Sequence, residues 1–143
     1  MTPIRRLDHV AVLVRSTDEA LRLYRDRLGL AVHSSEELEV PPVRLTYLDA
    51  GNAYLQLVEP LDAESALRAW LEEHGEGLHH ICFGVDDVKE AVAQLSDPGT
   101  DVVVGSGRGR MSSFLTTHEN GVRIECTEFR REEDVDDVAG WIS

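Results

Sequence analysis

Two histidines stand at equivalent places in a chain that repeats itself. Residues 7–23 (LDHVAVLVRSTDEALRL) overlay residues 78–94 (LHHICFGVDDVKEAVAQ) at an offset of 71, which puts His9 on His80, Leu7 on Leu78, Val14 on Val85 and Glu19 on Glu90. At an offset of 69, YLQLVE (Tyr54 to Glu59) overlays RIECTE (Arg123 to Glu128), bringing Gln56 onto Glu125 and Glu59 onto Glu128. A module that keeps one imidazole and one oxygen donor in equivalent places can, once duplicated, assemble a four-ligand metal site between its halves. Two neutral imidazoles with oxygen donors suit a borderline divalent ion, Zn, Mn, Co, Ni or Fe(II), and the donor set does not choose among them.

The elements that must position these four side chains follow from period and punctuation. Residues 7–14 alternate and are rich in valine, which predicts a strand. Ser16 and Glu19 have capping-box spacing, and Leu21, Tyr24 and Leu28 recur at helical intervals until Gly29. Strands over 30–34, 43–49 and 53–59 follow, the last two joined across Gly51-Asn52 as a hairpin. A connecting helix is expected over about 63–73, with Leu67, Trp70 and Leu71 on one face. The second copy then reads strand 78–85, helix 87–96, and strands 101–105, 111–116 and 121–129. The pattern is βαβββ twice: module one about 5–60, a connecting helix about 61–76, module two about 77–129 and an acidic tail 130–143, all in a single domain of 1–143. Trp141 and Ile142 are candidates to dock that tail back onto the body.

Side chains two apart on a strand share a face, so His9 groups with Leu7, Ala11 and Leu13, and Gln56 with Tyr54 and Val58. His80 groups with Leu78, Cys82 and Gly84, and Glu125 with Arg123 and Thr127. Each candidate ligand thus sits on a largely apolar row. A lone His there is commonly a satisfied core residue, but that does not explain two of them at equivalent positions, and an inward carboxylate is costly without a cation or a donor. His79 is expected on the opposite face from His80.

A formal charge of −13 argues against nucleic acid and anionic membranes as partners. The absence of a signal peptide or long apolar run, with only Cys82 and Cys126, reads as a cytoplasmic chain with reduced thiols. The stretch GSGRGR (Gly105 to Arg110) is either a plain turn or a source of Arg108 and Arg110 for a phosphate or carboxylate.

LDHVAV, YLQLVEP followed by DAESALRAWLEEHGEGLHHICFGVDDV, and GVRIEC resemble the signature segments of the vicinal oxygen chelate, or glyoxalase-fold, superfamily, and within it the methylmalonyl-CoA epimerases. The resemblance spans nearly residues 7–128 and is most specific from Gln56 to Val88. It implies an α+β fold of two tandem βαβββ modules forming a curved sheet around a metal site, with His9, Gln56, His80 and Glu125 as ligands to a divalent ion. It also implies a homodimer and an acyl-CoA thioester as substrate, epimerised by α-proton abstraction through a metal-stabilised enolate with Glu125 as one acid/base group.

Two departures from the epimerase pattern stand out. A glutamate that some members carry as partner base falls, on alignment through PPVRLTYLDAG, at Leu45; Glu36, Glu37 and Glu39 on a preceding acidic loop are its possible substitutes. Thr116, Thr117 and His118 replace a His-Pro-Lys segment. The alternatives are another metalloenzyme of the fold (a glyoxalase-type isomerase, a biosynthetic isomerase or cyclase, or an Fe(II) oxygenase) and a protein that sequesters a small molecule.

Overall fold

The computed structural model describes residues 3–95, 103–106, 108–115 and 119–129. The acidic tail from Arg130, with Trp141 and Ile142, and the Thr116–His118 departure lie outside the described residues. The elements run β1 (Ile4–Leu13), α1 (Thr17–Leu21), β2 (Ala31–Glu39), β3 (Pro42–Asp49), β4 (Tyr54–Pro60), α2 (Ala66–His74), β5 (Gly77–Val85), α3 (Val88–Leu95), β6 (Val103–Ser106), β7 (Arg110–Phe114) and β8 (Ile124–Glu128). This is βαβββ, a connecting helix, and βαβββ again.

The chain divides into two compact units that do not coincide with the sequence repeats: Val10–His79 forms one, and Met1–His9 with His80–Ser143 forms the other. In the first, the strand order is β2-β3-β4-β1. Ser16 caps α1 as its spacing predicts, its Oγ accepting from the Glu19 amide at 3.2 Å. The Glu59 carboxylate accepts from the Thr17 amide at 2.7 Å, tying the helix start to β4. The helix then widens to a π-helical stretch, Arg22–Arg27, closed by an i to i+5 bond from Leu28 N to Leu23 O of 2.8 Å. Gly29, at φ 80°, ends it in a conformation that favours glycine. Val14, Leu21, Leu48 and Leu57 make the buried core beneath this helix. Gln56 and Tyr47, one position away from Leu57 and Leu48, therefore point to the other side of β3 and β4.

The second unit has the order β1-β5-β8-β7-β6, with β5 and β8 parallel and β7 antiparallel to both β8 and β6. Its core repeats the logic of the first. Val85, Val88, Ala91, Val92, Leu115 and Cys126 pack around α3, on the side of β8 that Cys126 faces. Glu125, its neighbour, faces away from the helix. In both units the helix claims one strand face by hydrophobic burial and leaves the polar candidate on the other.

One expectation is corrected. Residues 36–39 are not a loop: β2 continues through Glu39 and pairs with β3, setting Glu36 opposite Leu45 and Glu39 opposite Pro42. Ser34, Glu36 and Leu38 are half-buried and Ser35, Glu37 and Glu39 exposed, an alternation whose polar members hide its period of two. Charge along β2, which takes one end of the strand order, suits a strand with an unpaired edge.

Leu57 is fully buried at the centre of the first unit's core. Leu57→Ala should cost about 2–5 kcal/mol, a cavity beneath α1 adding to the lost transfer energy, as read from urea unfolding midpoints.

Candidate metal centre

His9 lies near the end of the β1 segment that belongs to the second unit, and the same unit holds His80 on β5 and Glu125 on β8. All three are buried. Their donor atoms converge: His9 Nε2 and His80 Nε2 are 3.3 Å apart, and Glu125 Oε1 stands 3.5 Å from the first and 3.3 Å from the second. Three donors on a tetrahedral ion with bonds near 2 Å would be separated by about 3.3–3.4 Å, so the triangle has the edge lengths such an ion requires.

Asp8 Oδ2 lies 2.7 Å from His9 Nδ1. A carboxylate at that distance accepts a hydrogen bond from Nδ1–H and turns the Nε2 edge of the ring toward His80 and Glu125. Asp8 is itself fully buried and carries three guanidinium groups: Arg108 Nη2 at 2.5 Å, Arg6 Nη2 at 3.4 Å and Arg110 Nη1 at 3.6 Å. Arg108 and Arg110, read from sequence as a turn or an anion site, thus turn inward onto a carboxylate of the chain. The sequence reading missed Asp8 because adjacent strand residues should face opposite ways; an acid directly before a candidate ligand His was the available signal.

These contacts shift the protonation equilibria of the four groups. Burial opposes ionisation of His9, but its hydrogen bonds to Asp8 and then to Glu125 outweigh it and raise its pKa above the ordinary imidazole value. For His80 burial dominates and lowers the pKa, with Glu125 offsetting only part. Burial would raise Glu125, yet hydrogen bonds from His80 and His9 hold it well below the usual carboxylate range. Asp8 behaves likewise: burial is overcome by the hydrogen bond from His9 and the charge of Arg108. Cys82, registered beside Glu125, forms a second close group with Asp8 and His9. Burial pushes its thiol well up, so it stays protonated and is the poorer ligand. Both cysteines are free and buried.

The remaining sequence candidates divide cleanly. His79 is half-buried and turns from His80, its ring edge-on to Trp70 at 6.2 Å between centroids. Gln56 belongs to the other unit, where its Nε2 donates to the Tyr47 hydroxyl at 2.8 Å. Its buried Oε1 has no hydrogen-bond partner among the described residues. An amide pinned through its nitrogen with its oxygen unsatisfied is an oxygen donor in waiting. No helix among the described residues is long and apolar enough to cross a membrane.

Two buried imidazoles and a carboxylate thus converge on the repeated βαβββ strands of a glyoxalase fold. The chain belongs to the glyoxalase/bleomycin resistance protein/dioxygenase superfamily, whose profile matches residues 8–116. It is 35% identical over 130 residues to the uncharacterized protein YqjC of Bacillus subtilis, covering 87% of this chain and 93% of that one. It is 32% identical to an ethylmalonyl-CoA/methylmalonyl-CoA epimerase of Cereibacter sphaeroides, covering 77% and 82% respectively. Among solved structures, a glutamate-to-leucine variant of Streptomyces coelicolor methylmalonyl-CoA epimerase in complex with 2-nitronate-propionyl-CoA aligns with a TM-score of 0.77 at 34% identity, over 87% of this chain and 94% of that one. The same enzyme has been solved as glutamate-to-glutamine and glutamine-to-alanine variants.

The metal-free centre should respond to pH in a defined way. Asp8 and Glu125, lowered on folding, stabilise fully above their unfolded value of about 4 and lose that contribution as pH falls. His80, also lowered, adds to the acid-side loss from about pH 6.5 downward. His9, raised, contributes fully below about pH 6.5 and loses its contribution as pH rises through its folded value. Urea midpoints of metal-free protein should therefore fall on the acid side, with a shallower slope in Glu125→Gln. Loading a divalent ion near pH 7 should release protons, seen as a dependence of calorimetric heat on buffer ionisation enthalpy.

Proposed function

We propose that the protein is a divalent-metal-dependent epimerase of methylmalonyl-CoA or a similar 2-substituted malonyl thioester. The observation that carries this reading is the convergence of His9 Nε2, His80 Nε2 and Glu125 Oε1 in a chain whose relatives include methylmalonyl-CoA epimerases. These three residues would hold the ion. Gln56 is the proposed fourth ligand, supported by its place in the repeat and its unsatisfied oxygen. A bound divalent ion supplies Lewis-acid polarisation of the thioester carbonyl. Glu125, presenting Oε1 to the imidazoles, keeps Oε2 to take the α-proton of the substrate and to return it.

Inversion needs a second acid/base group on the opposite face of the planar intermediate. Leu45 is buried and cannot serve. Glu36 of β2 can. Glu36 is supported by register: opposite Leu45, it lies on the strand face that carries Tyr47 and Gln56.

Elemental analysis should give about one divalent ion per chain, lost in His80→Ala and retained in His79→Ala, whose ring faces the other way. Following deuterium uptake and stereochemistry of methylmalonyl-CoA together tests the acid/base assignment. Glu125→Gln should abolish both exchange and inversion, by a factor of about 10² or more. Glu36→Gln should slow inversion more than exchange while Glu39→Gln, exposed and opposite Pro42, leaves their ratio unchanged; the reverse outcome transfers the role to Glu39. Wild-type protein that takes up metal but exchanges no acyl-CoA proton would move the assignment to another metalloenzyme of the fold.

A further inference from the structure

We propose that Asp8 is the positioning residue of the His9–His80–Glu125 centre, with Arg108 holding Asp8 in place, so that the turn between β6 and β7 is tied to a metal ligand through one carboxylate. The inference rests on the metal-centre reading above.

Consecutive strand residues ordinarily project to opposite faces, yet the Asp8 and His9 side chains are both buried and meet at 2.7 Å. The contact fixes which imidazole nitrogen is free. With Nδ1–H donated to Asp8 Oδ2, Nε2 is left as the donor atom, and Nε2 is the atom that stands 3.3 Å from His80 Nε2 and 3.5 Å from Glu125 Oε1. A carboxylate behind a ligating imidazole both orients the ring and raises its basicity toward the ion.

Asp8 is in turn held. Its Oδ2 is shared by His9 and Arg108, while Oδ1 faces Arg6 and Arg110. Arg108 reaches it from a turn where Arg108 and Gly109 both have positive φ, 57° and 66°. A non-glycine residue in that region is uncommon and mildly strained, and such strain persists where the surrounding structure over-determines it. Here the conformation delivers the guanidinium to the buried Asp8 carboxylate that touches His9. The repeat sharpens the point: its counterpart of Asp8 is His79, which turns away from His80. The two ligand histidines are therefore not equivalent, and only His9 has this anionic support from the preceding residue.

The test is Co(II) binding to the full chain, followed by calorimetry and by the visible absorption of the bound ion. Asp8→Ala should weaken affinity by about 10- to 100-fold. Asp8→Asn, which keeps an acceptor oxygen for Nδ1–H, should recover part of the affinity and the wild-type absorption. Because losing the carboxylate leaves three arginines unbalanced, the charge-balanced double variant Asp8→Ala/Arg108→Met is measured alongside, and it should lose affinity as Asp8→Ala does. A variant-free readout completes the set: nitrogen NMR of Zn(II)-loaded wild type should show His9 protonated at Nδ1 and ligated through Nε2. Ligation through Nδ1, or Ala variants that bind Co(II) as tightly as wild type, overturns the proposal while leaving the metal centre standing. Wild-type protein that binds neither ion overturns both together.

Discussion

Everything in the site turns on one electrostatic constraint, the burial of the Glu125 carboxylate between two imidazoles. A carboxylate removed from water is expensive unless positive charge or hydrogen-bond donors surround it. Without an ion, His9 supplies the proton that makes the arrangement tolerable, which is why its pKa rises and that of Glu125 falls despite burial. A divalent ion would satisfy all three groups at once and displace that proton. The distances of 3.3–3.5 Å follow from three donors converging on one point.

The fold serves that constraint by parity. On β4 and on β8 the helix-facing positions are apolar, Leu57 in one and Cys126 in the other, and the adjacent residues Gln56 and Glu125 are turned to the opposite face. Slipping either strand by one residue would bury the polar side chain beneath a helix and expose its apolar neighbour. The hydrophobic cores under α1 and α3 therefore set the register of the polar groups without touching them. Sequence duplication accounts for the two cores, but the compact units cut across it. The first half of β1 joins the second module's strands, and that crossing is what brings His9 into the unit of His80 and Glu125.

Alternation and the offset repeat made His9, His80 and Glu125 legible, and parity assigned His79 to the opposite face from His80. The same parity rule hid Asp8. It fails there because the fold surrounds the Asp8 carboxylate with Arg6, Arg108 and Arg110, two of them more than ninety residues away in sequence. No local pattern announces such a cluster, since its members come from β1, a turn and β7. The extent of β2 was illegible for a different reason: Ser34 to Glu39 alternates in burial but not in polarity, so the period of two left no trace in the sequence.

The asymmetry between the two histidines is where duplication gives way to specialisation. Copies of one module would supply two identical imidazoles, but His9 lies against an anion and is pushed toward protonation, whereas His80 is kept neutral by burial. In a metal centre this difference makes one ligand a stronger, more anchored donor and the other a weaker one. The acid directly preceding His9, absent before His80, is thus the sequence difference that makes two repeated imidazoles electrostatically unequal.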